Sequence, residues 1–206
     1  MTEVDTTTMT LSELAVEASG CTKCRLSDGR TQVVFGVGAP NADVMFIGEG
    51  PGYHEDKQGE PFVGAAGQLL TKMLGEIGLA REDVYIANVV KCRPPGNRDP
   101  LPDEIDACKP YLEGQIRTID PRVIVTLGNF ATRFILDRPA SISRVRGQRF
   151  EIGGRIVLPT FHPAAILHGG GEASAQFQAL RSDFLAIEQI LAEAPPQPAE
   201  EQLGLF

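Results

Sequence analysis

Val44-Met-Phe-Ile-Gly-Glu-Gly-Pro-Gly52 is the stretch on which the fold turns. Its four leading residues are apolar without alternation, the signature of a strand buried on both faces, as in a parallel sheet. The run stops at Gly48 and passes into a loop with three glycines. Glycine lets the backbone approach a ligand closely and leaves amide groups free to donate, which makes Gly48 and Gly50 candidate substrate-binding positions. Working outward, Gly64 to Gly78 carries Leu69, Leu70, Met73, Leu74 and Ile77 on one helical face. Val84-Tyr-Ile-Ala-Asn88 reads as a second strand, and Pro102 to Ile119 as a helix opened by proline and acids. Val123–Leu127 is a third strand, followed by a short helix over Asn129–Leu136 and a hairpin turning at Gly153-Gly154. Ile156-Val-Leu158 completes the strands, and a last helix covers about residues 174 to 193. Strands alternating with helices predict an α/β domain with a central, mainly parallel four-stranded sheet flanked by helices.

The chain has 206 residues and a net charge of −8, enough length for one domain with a sizeable core. That charge argues against a non-specific nucleic-acid coat. It is unevenly spread, because residues 91 to 98 and residues 144 to 149 each hold three cations and no acid. No apolar run approaches the roughly 20 residues that cross a bilayer, and the start has no basic region followed by an apolar one. A cytoplasmic, monomeric protein with no membrane contact is expected. Residues 1–10 are Thr-rich and polar and 194–206 begin Pro-rich, so a domain over 11–193 is expected between two disordered ends.

The chemistry-bearing residues fall into two sets. The four cysteines, Cys21, Cys24, Cys92 and Cys108, are all the chain has, and they come in pairs. Four reduced thiols suit a tetrahedral zinc ion or a [4Fe–4S] cluster. In a parallel sheet the active site lies beyond the carboxyl ends of the strands. That rule selects three loops, 48–52, 88–98 and 162–171. Glu49, one residue past a strand end, is placed for general-base work. Asn88 ends the second strand with an amide that both donates and accepts, and His162 follows the last one. The glycine loop lacks the Lys and Ser/Thr of a phosphate-binding P-loop, which argues against a nucleotide hydrolase.

Gly48-Glu-Gly-Pro-Gly52, Pro61-Phe-Val-Gly64, Asn88-Val-Val-Lys-Cys-Arg-Pro-Pro95, Pro102-Asp-Glu104 and His162-Pro-Ala-Ala165 occur in that order. With the cysteine spacing, this set closely resembles the family 4 uracil-DNA glycosylases, iron–sulfur enzymes, from about Cys21 to Ile190. The resemblance implies a uracil-DNA glycosylase-like fold and base excision repair, with uracil released from single- or double-stranded DNA to leave an abasic site. It implies one [4Fe–4S] cluster on the four cysteines. It makes Phe62 the ring that stacks on uracil, Asn88 the reader of its edge and His162 the donor to O2. Glu49, with Glu55 as second choice, would orient the attacking water. Tyr53 and His54 depart from the pattern, standing where relatives often carry acids. Arg93, Arg98 and His168 are expected to contact DNA, with Ile166 or Leu167 as the wedge that fills the vacated stack. Residues 91 to 98 hold no His of the kind that traps DNA covalently in a related branch, so turnover by hydrolysis is expected. Other deaminated bases as substrates, or a non-catalytic DNA-binding protein with a four-cysteine metal site, are the competing readings.

The chain closes on Gln202-Leu-Gly-Leu-Phe206, with large apolar side chains at the end of a polar tail. The pentapeptide resembles the short motif that binds the bacterial sliding clamp, through Gln202, Leu203, Leu205 and Phe206.

Overall fold

The computed structural model describes residues 8–193. The first seven residues and the tail from 194 on, with the clamp-type pentapeptide, lie outside the described residues. Six strands form one sheet: β1 (Val37–Gly38), β2 (Val44–Gly48), β3 (Tyr85–Asn88), β4 (Val123–Leu127), β5 (Phe150–Ile152) and β6 (Arg155–Thr160). Their order is β1-β3-β2-β4-β6-β5. The four central strands are parallel, as expected, and antiparallel β1 and β5 extend the sheet at its two edges. The β5–β6 hairpin turns at Gly153 and Gly154, whose φ values of 55° and 76° suit a tight turn of this hand.

Successive residues of β2 point to opposite faces, and both faces are covered. Val44 and Phe46 join a core with α3 (Ala65–Glu76) and α8 (Ala175–Ala192), while Met45 and Ile47 join one with α4 (Pro102–Ile119) and α5 (Gly128–Leu136). This two-sided burial is why β2 reads as an unbroken apolar run. The four predicted helices are found within one or two residues of their expected bounds. Four more were not foreseen: α1 (Leu11–Ser19), α2 (Tyr53–Gln58), α6 (Ile142–Val145) and α7 (Pro163–His168). Of these, α1 carries a capping box, in which Thr10 accepts from the Glu13 amide and Glu13 reaches back to the Thr10 amide.

From β2 the chain winds to β3 on one side and later to β4 and β6 on the other. The direction therefore reverses between β2 and β4, and the loops beyond their carboxyl ends splay apart there. Such a crevice is where an open α/β sheet binds its ligand. No helix among the described residues is long and apolar enough to cross a membrane.

Candidate active site

The crevice is a cleft of about 380 Å³ whose lining comes from all three loops selected from the sequence, including Glu49, Gly50, Asn88 and His162. Its size is that of a small-molecule pocket. Gly48 pairs with Asn88 in the β2–β3 register, and the ladder continues as the Val90 amide donates to the Glu49 carbonyl at 3.0 Å. Gly48 itself lies behind the lining. A Cβ there would come within 2.4 Å of Asn88 Oδ1 and 2.7 Å of Phe62 Cζ, so its bare backbone makes room for both side chains.

Asn88 is 2% exposed, and its side-chain oxygen has no hydrogen-bond partner among the described residues. A buried acceptor left open costs about 1–3 kcal/mol, so a ligand with a matching donor is the natural account of it. Phe62 lies beside it with φ of 55°, a left-handed backbone that a bulky residue adopts at a cost of about 1–3 kcal/mol. Four hydrogen bonds clamp the strained segment. Arg81 donates to the carbonyls of Pro61 and Phe62 at 2.9 and 3.2 Å, and Glu55 Oε1 accepts from the amides of Val63 and Gly64 at 3.0 and 2.9 Å. Helix α3 adds a further constraint, since a Cβ on Gly67 would meet the Phe62 carbonyl oxygen at 1.7 Å.

His162 caps α7, its Nδ1 accepting from the Ala164 amide at 3.2 Å. That bond leaves the proton on Nε2. Burial lowers the His162 pKa to about 4, only slightly countered by Glu55, so the ring is a neutral donor at physiological pH. Its ring lies 5.5 Å from that of Phe62. Glu49 is shifted the other way: burial, reinforced by Asp99, pushes its carboxyl up to about 7. Two titratable groups with pKa values driven in opposite directions are common at catalytic centres.

A second cavity brings together Cys21, Cys24, Cys92 and Cys108, all with free thiols. Cys21 and Cys24 follow α1, Cys92 follows β3, and Cys108 lies on α4. Donors converge on the sulfurs: the Lys91 amide on Cys108 Sγ at 3.2 Å and Arg30 Nη1 on Cys92 Sγ at 3.5 Å. Yet no three His, Cys, Asp or Glu side chains among the described residues are grouped as ligands of a single metal ion.

Comparison with known proteins agrees with the geometry. The family model of the Uracil DNA glycosylase superfamily matches residues 35–185. The chain belongs to that superfamily, with its type-4 members. A type-4 uracil-DNA glycosylase of Sulfurisphaera tokodaii is 51% identical over 189 residues, covering 87% of this chain and 84% of that protein. The Archaeoglobus fulgidus type-4 enzyme is 45% identical over 194 residues, covering 90% of this chain and 96% of that protein. One from Thermotoga maritima is 54% identical over 149 residues, covering 71% of this chain and 78% of that protein.

Within this uracil-DNA glycosylase superfamily fold, the other sequence-selected residues are placed unevenly. Ile166 is 0% exposed in the core, so it is not available as a surface wedge; Leu167, 43% exposed, is. Arg98 lines the cleft, but its guanidinium forks onto the buried Glu104 at 2.6 and 2.9 Å and is committed to holding the loop. Arg93 is tethered to Asn97 through Nε and stacks 5.2 Å from the Tyr53 ring. His168 is exposed at the cleft rim. Tyr53 and His54 stand exposed on α2 and do not line the cleft. Sequence reasoning missed Arg81, Gly67 and Arg30. Only Gly67 left a trace, because a glycine inside an otherwise good helix costs about 1 kcal/mol and calls for a packing reason.

Proposed function

We propose that the protein excises uracil from DNA by hydrolysing the N-glycosidic bond of deoxyuridine. The observation that carries this reading is the open acceptor of Asn88, buried beside the Phe62 ring and the neutral His162 donor. Uracil offers a face for Phe62, an N3–H for Asn88 Oδ1, and an O4 for the amide NH2 of the same side chain. Cytosine presents an unprotonated N3 and an amino group in those places, so one amide orientation fails twice. The base must leave the helical stack to be gripped this way. Leu167 is the exposed apolar side chain that fills the space it vacates, and Arg93 and His168 are the phosphate contacts.

As the bond lengthens, its electron pair moves to uracil N1 and negative charge grows on O2. His162 Nε2–H donates to O2 and stabilises the leaving anion more than the ground state. The sugar becomes oxocarbenium-like. Glu49, ionised, stabilises that cation and accepts a proton from the water whose oxygen adds to C1′. Glu55 serves differently from Glu49, because one of its oxygens is occupied by the Val63 and Gly64 amides. It is a positioning residue for Phe62. Release is by water alone, with no covalent link to DNA.

The four cysteines, with no other thiol in the chain, fit a [4Fe–4S] cluster, the group that the family resemblance implies. A bound cluster would tie together the N-terminal segment, the loop after β3 and α4. The tail pentapeptide Gln202 to Phe206 binds the sliding clamp, a reading supported by its apolar end on a polar tail. Incubation with an oligonucleotide containing one deoxyuridine, followed by mass analysis of the freed base, tests the function. Uracil in the filtrate, with none from a thymine control, is the expected result; intact oligonucleotide at enzyme excess refutes it.

A further inference from the structure

Lys91 is a lysine with almost no contact with water, 1% exposed, and the mechanism above does not use it. Its ammonium donates to the backbone carbonyl of Asn88 at 2.8 Å and to Gln115 Oε1 at 2.5 Å. Gln115 is itself wholly buried on α4 and donates to the Phe35 carbonyl at 2.9 Å and the Tyr85 hydroxyl at 3.1 Å. The Lys91 backbone is as firmly held: its amide donates to Cys108 Sγ and its carbonyl accepts from the Val34 amide at 2.8 Å. The side chain also lines the four-cysteine cavity. Among the described residues, no carboxylate forms a salt bridge with it.

A buried cation is costly unless its protons find acceptors. The Asn88 carbonyl and Gln115 Oε1 supply them, while the Lys91 amide donates to a cysteine sulfur. Lys91 therefore spans two sites. One end of it belongs to the cluster cavity, and the other fixes the peptide plane that follows Asn88, which sets where the Asn88 side chain points. Gly48 leaves that side chain little freedom on its other flank, with room for no Cβ. A base reader that must match two atoms of uracil loses its match when its backbone tilts.

We infer that Lys91 is a positioning residue that couples the four-cysteine site to the uracil reader, holding Asn88 in register for the base. The inference rests on the uracil-excision reading and extends it by giving the cluster a consequence for base recognition. Gln115 shares the task by holding the ammonium in place.

The test compares Lys91→Met with Lys23→Met in the full-length protein loaded with its cluster. Lys23 also lines the cavity, stacked 4.8 Å from the Tyr111 ring, but has no link to Asn88. Iron per chain, inhibition by free uracil, affinity for abasic DNA and single-turnover excision are measured for each. The expected result is that Lys91→Met keeps its iron and its abasic-DNA affinity within about twofold, while its uracil inhibition constant rises at least tenfold and excision slows by a similar factor. Lys23→Met should match the parent throughout. An iron-loaded Lys91→Met with unchanged uracil inhibition overturns the inference. Should Lys91→Met fail to fold or to hold iron, Gln115→Met decides instead. A several-fold weaker uracil inhibition at full iron content supports the coupling, and no change refutes it. Absence of excision by the parent protein strikes at the uracil reading itself, so the two failures are distinguishable.

Discussion

Replacing Glu49 with Gln should lower activity and raise stability, each with its own pH dependence. Burial and Asp99 raise the Glu49 carboxyl from 4.5 to about 7. A carboxylate that acts only when ionised is then about one-eleventh active at pH 6 and about ten-elevenths active at pH 8, so the parent's single-turnover rate should climb roughly tenfold between them. His162 adds nothing to this limb, since at about 4 it stays neutral across the range. Glu49→Gln should fall about 10²- to 10³-fold at pH 8 and lose the slope. Stability runs the other way. A carboxyl whose folded pKa lies above its unfolded value contributes stability below about pH 4.5 that is lost as pH rises through about 7. Because Glu49 is partly exposed to the cleft, solvent screening leaves about 1–2 kcal/mol of that effect. The variant should therefore melt roughly 2–6 °C above the parent at pH 8 and show only a small fraction of that gain at pH 5. Quench-flow excision and calorimetry at the three pH values read both effects. A parent profile that is flat from pH 6 to 8, or a variant as active as the parent at pH 8, refutes the assignment.

Three further outcomes are expected. Gly67→Ala forces a methyl into the Phe62 carbonyl and should cost about 1–3 kcal/mol together with a rise in the uracil inhibition constant, read by melting and by product inhibition. Leu167→Ala should leave melting unchanged and slow excision from double-stranded DNA far more than from single strands, whereas Ile166→Ala should cost about 2–5 kcal/mol of stability, because it empties a core position. Deleting Gln202 to Phe206 should abolish capture by the sliding clamp and leave excision from short oligonucleotides intact; loss of excision counts against a separate clamp-binding tail.

The parts of the fold that read clearly in the sequence are those whose burial is periodic or continuous. The strands β2 and β4 are buried at every position, and α4 begins at Pro102 and ends at Ile119 as proline, acids and apolar spacing require. Helix α2 was invisible because its one buried residue is Asp56, so no apolar face marks it, and β1 is two residues long. The cleft was legible as three loops because strand ends locate it regardless of side-chain detail. What holds the cleft in shape was not. Arg81 reaches Phe62 across 19 positions of sequence, and Glu104 claims the Arg98 fork, contacts that exist only after the chain has folded. Ile166 and Leu167 are adjacent and equally apolar; only the orientation of α7 makes one core and the other surface.

The most direct test of the account is single-turnover excision by the parent and by Asn88→Ala on matched oligonucleotides with uracil, cytosine or thymine at one position, read by alkaline strand scission. The account predicts cleavage by the parent at uracil alone, and a fall of at least 10²-fold at uracil in the variant at undiminished affinity for abasic DNA. A variant that cleaves at uracil as fast as the parent would contradict it.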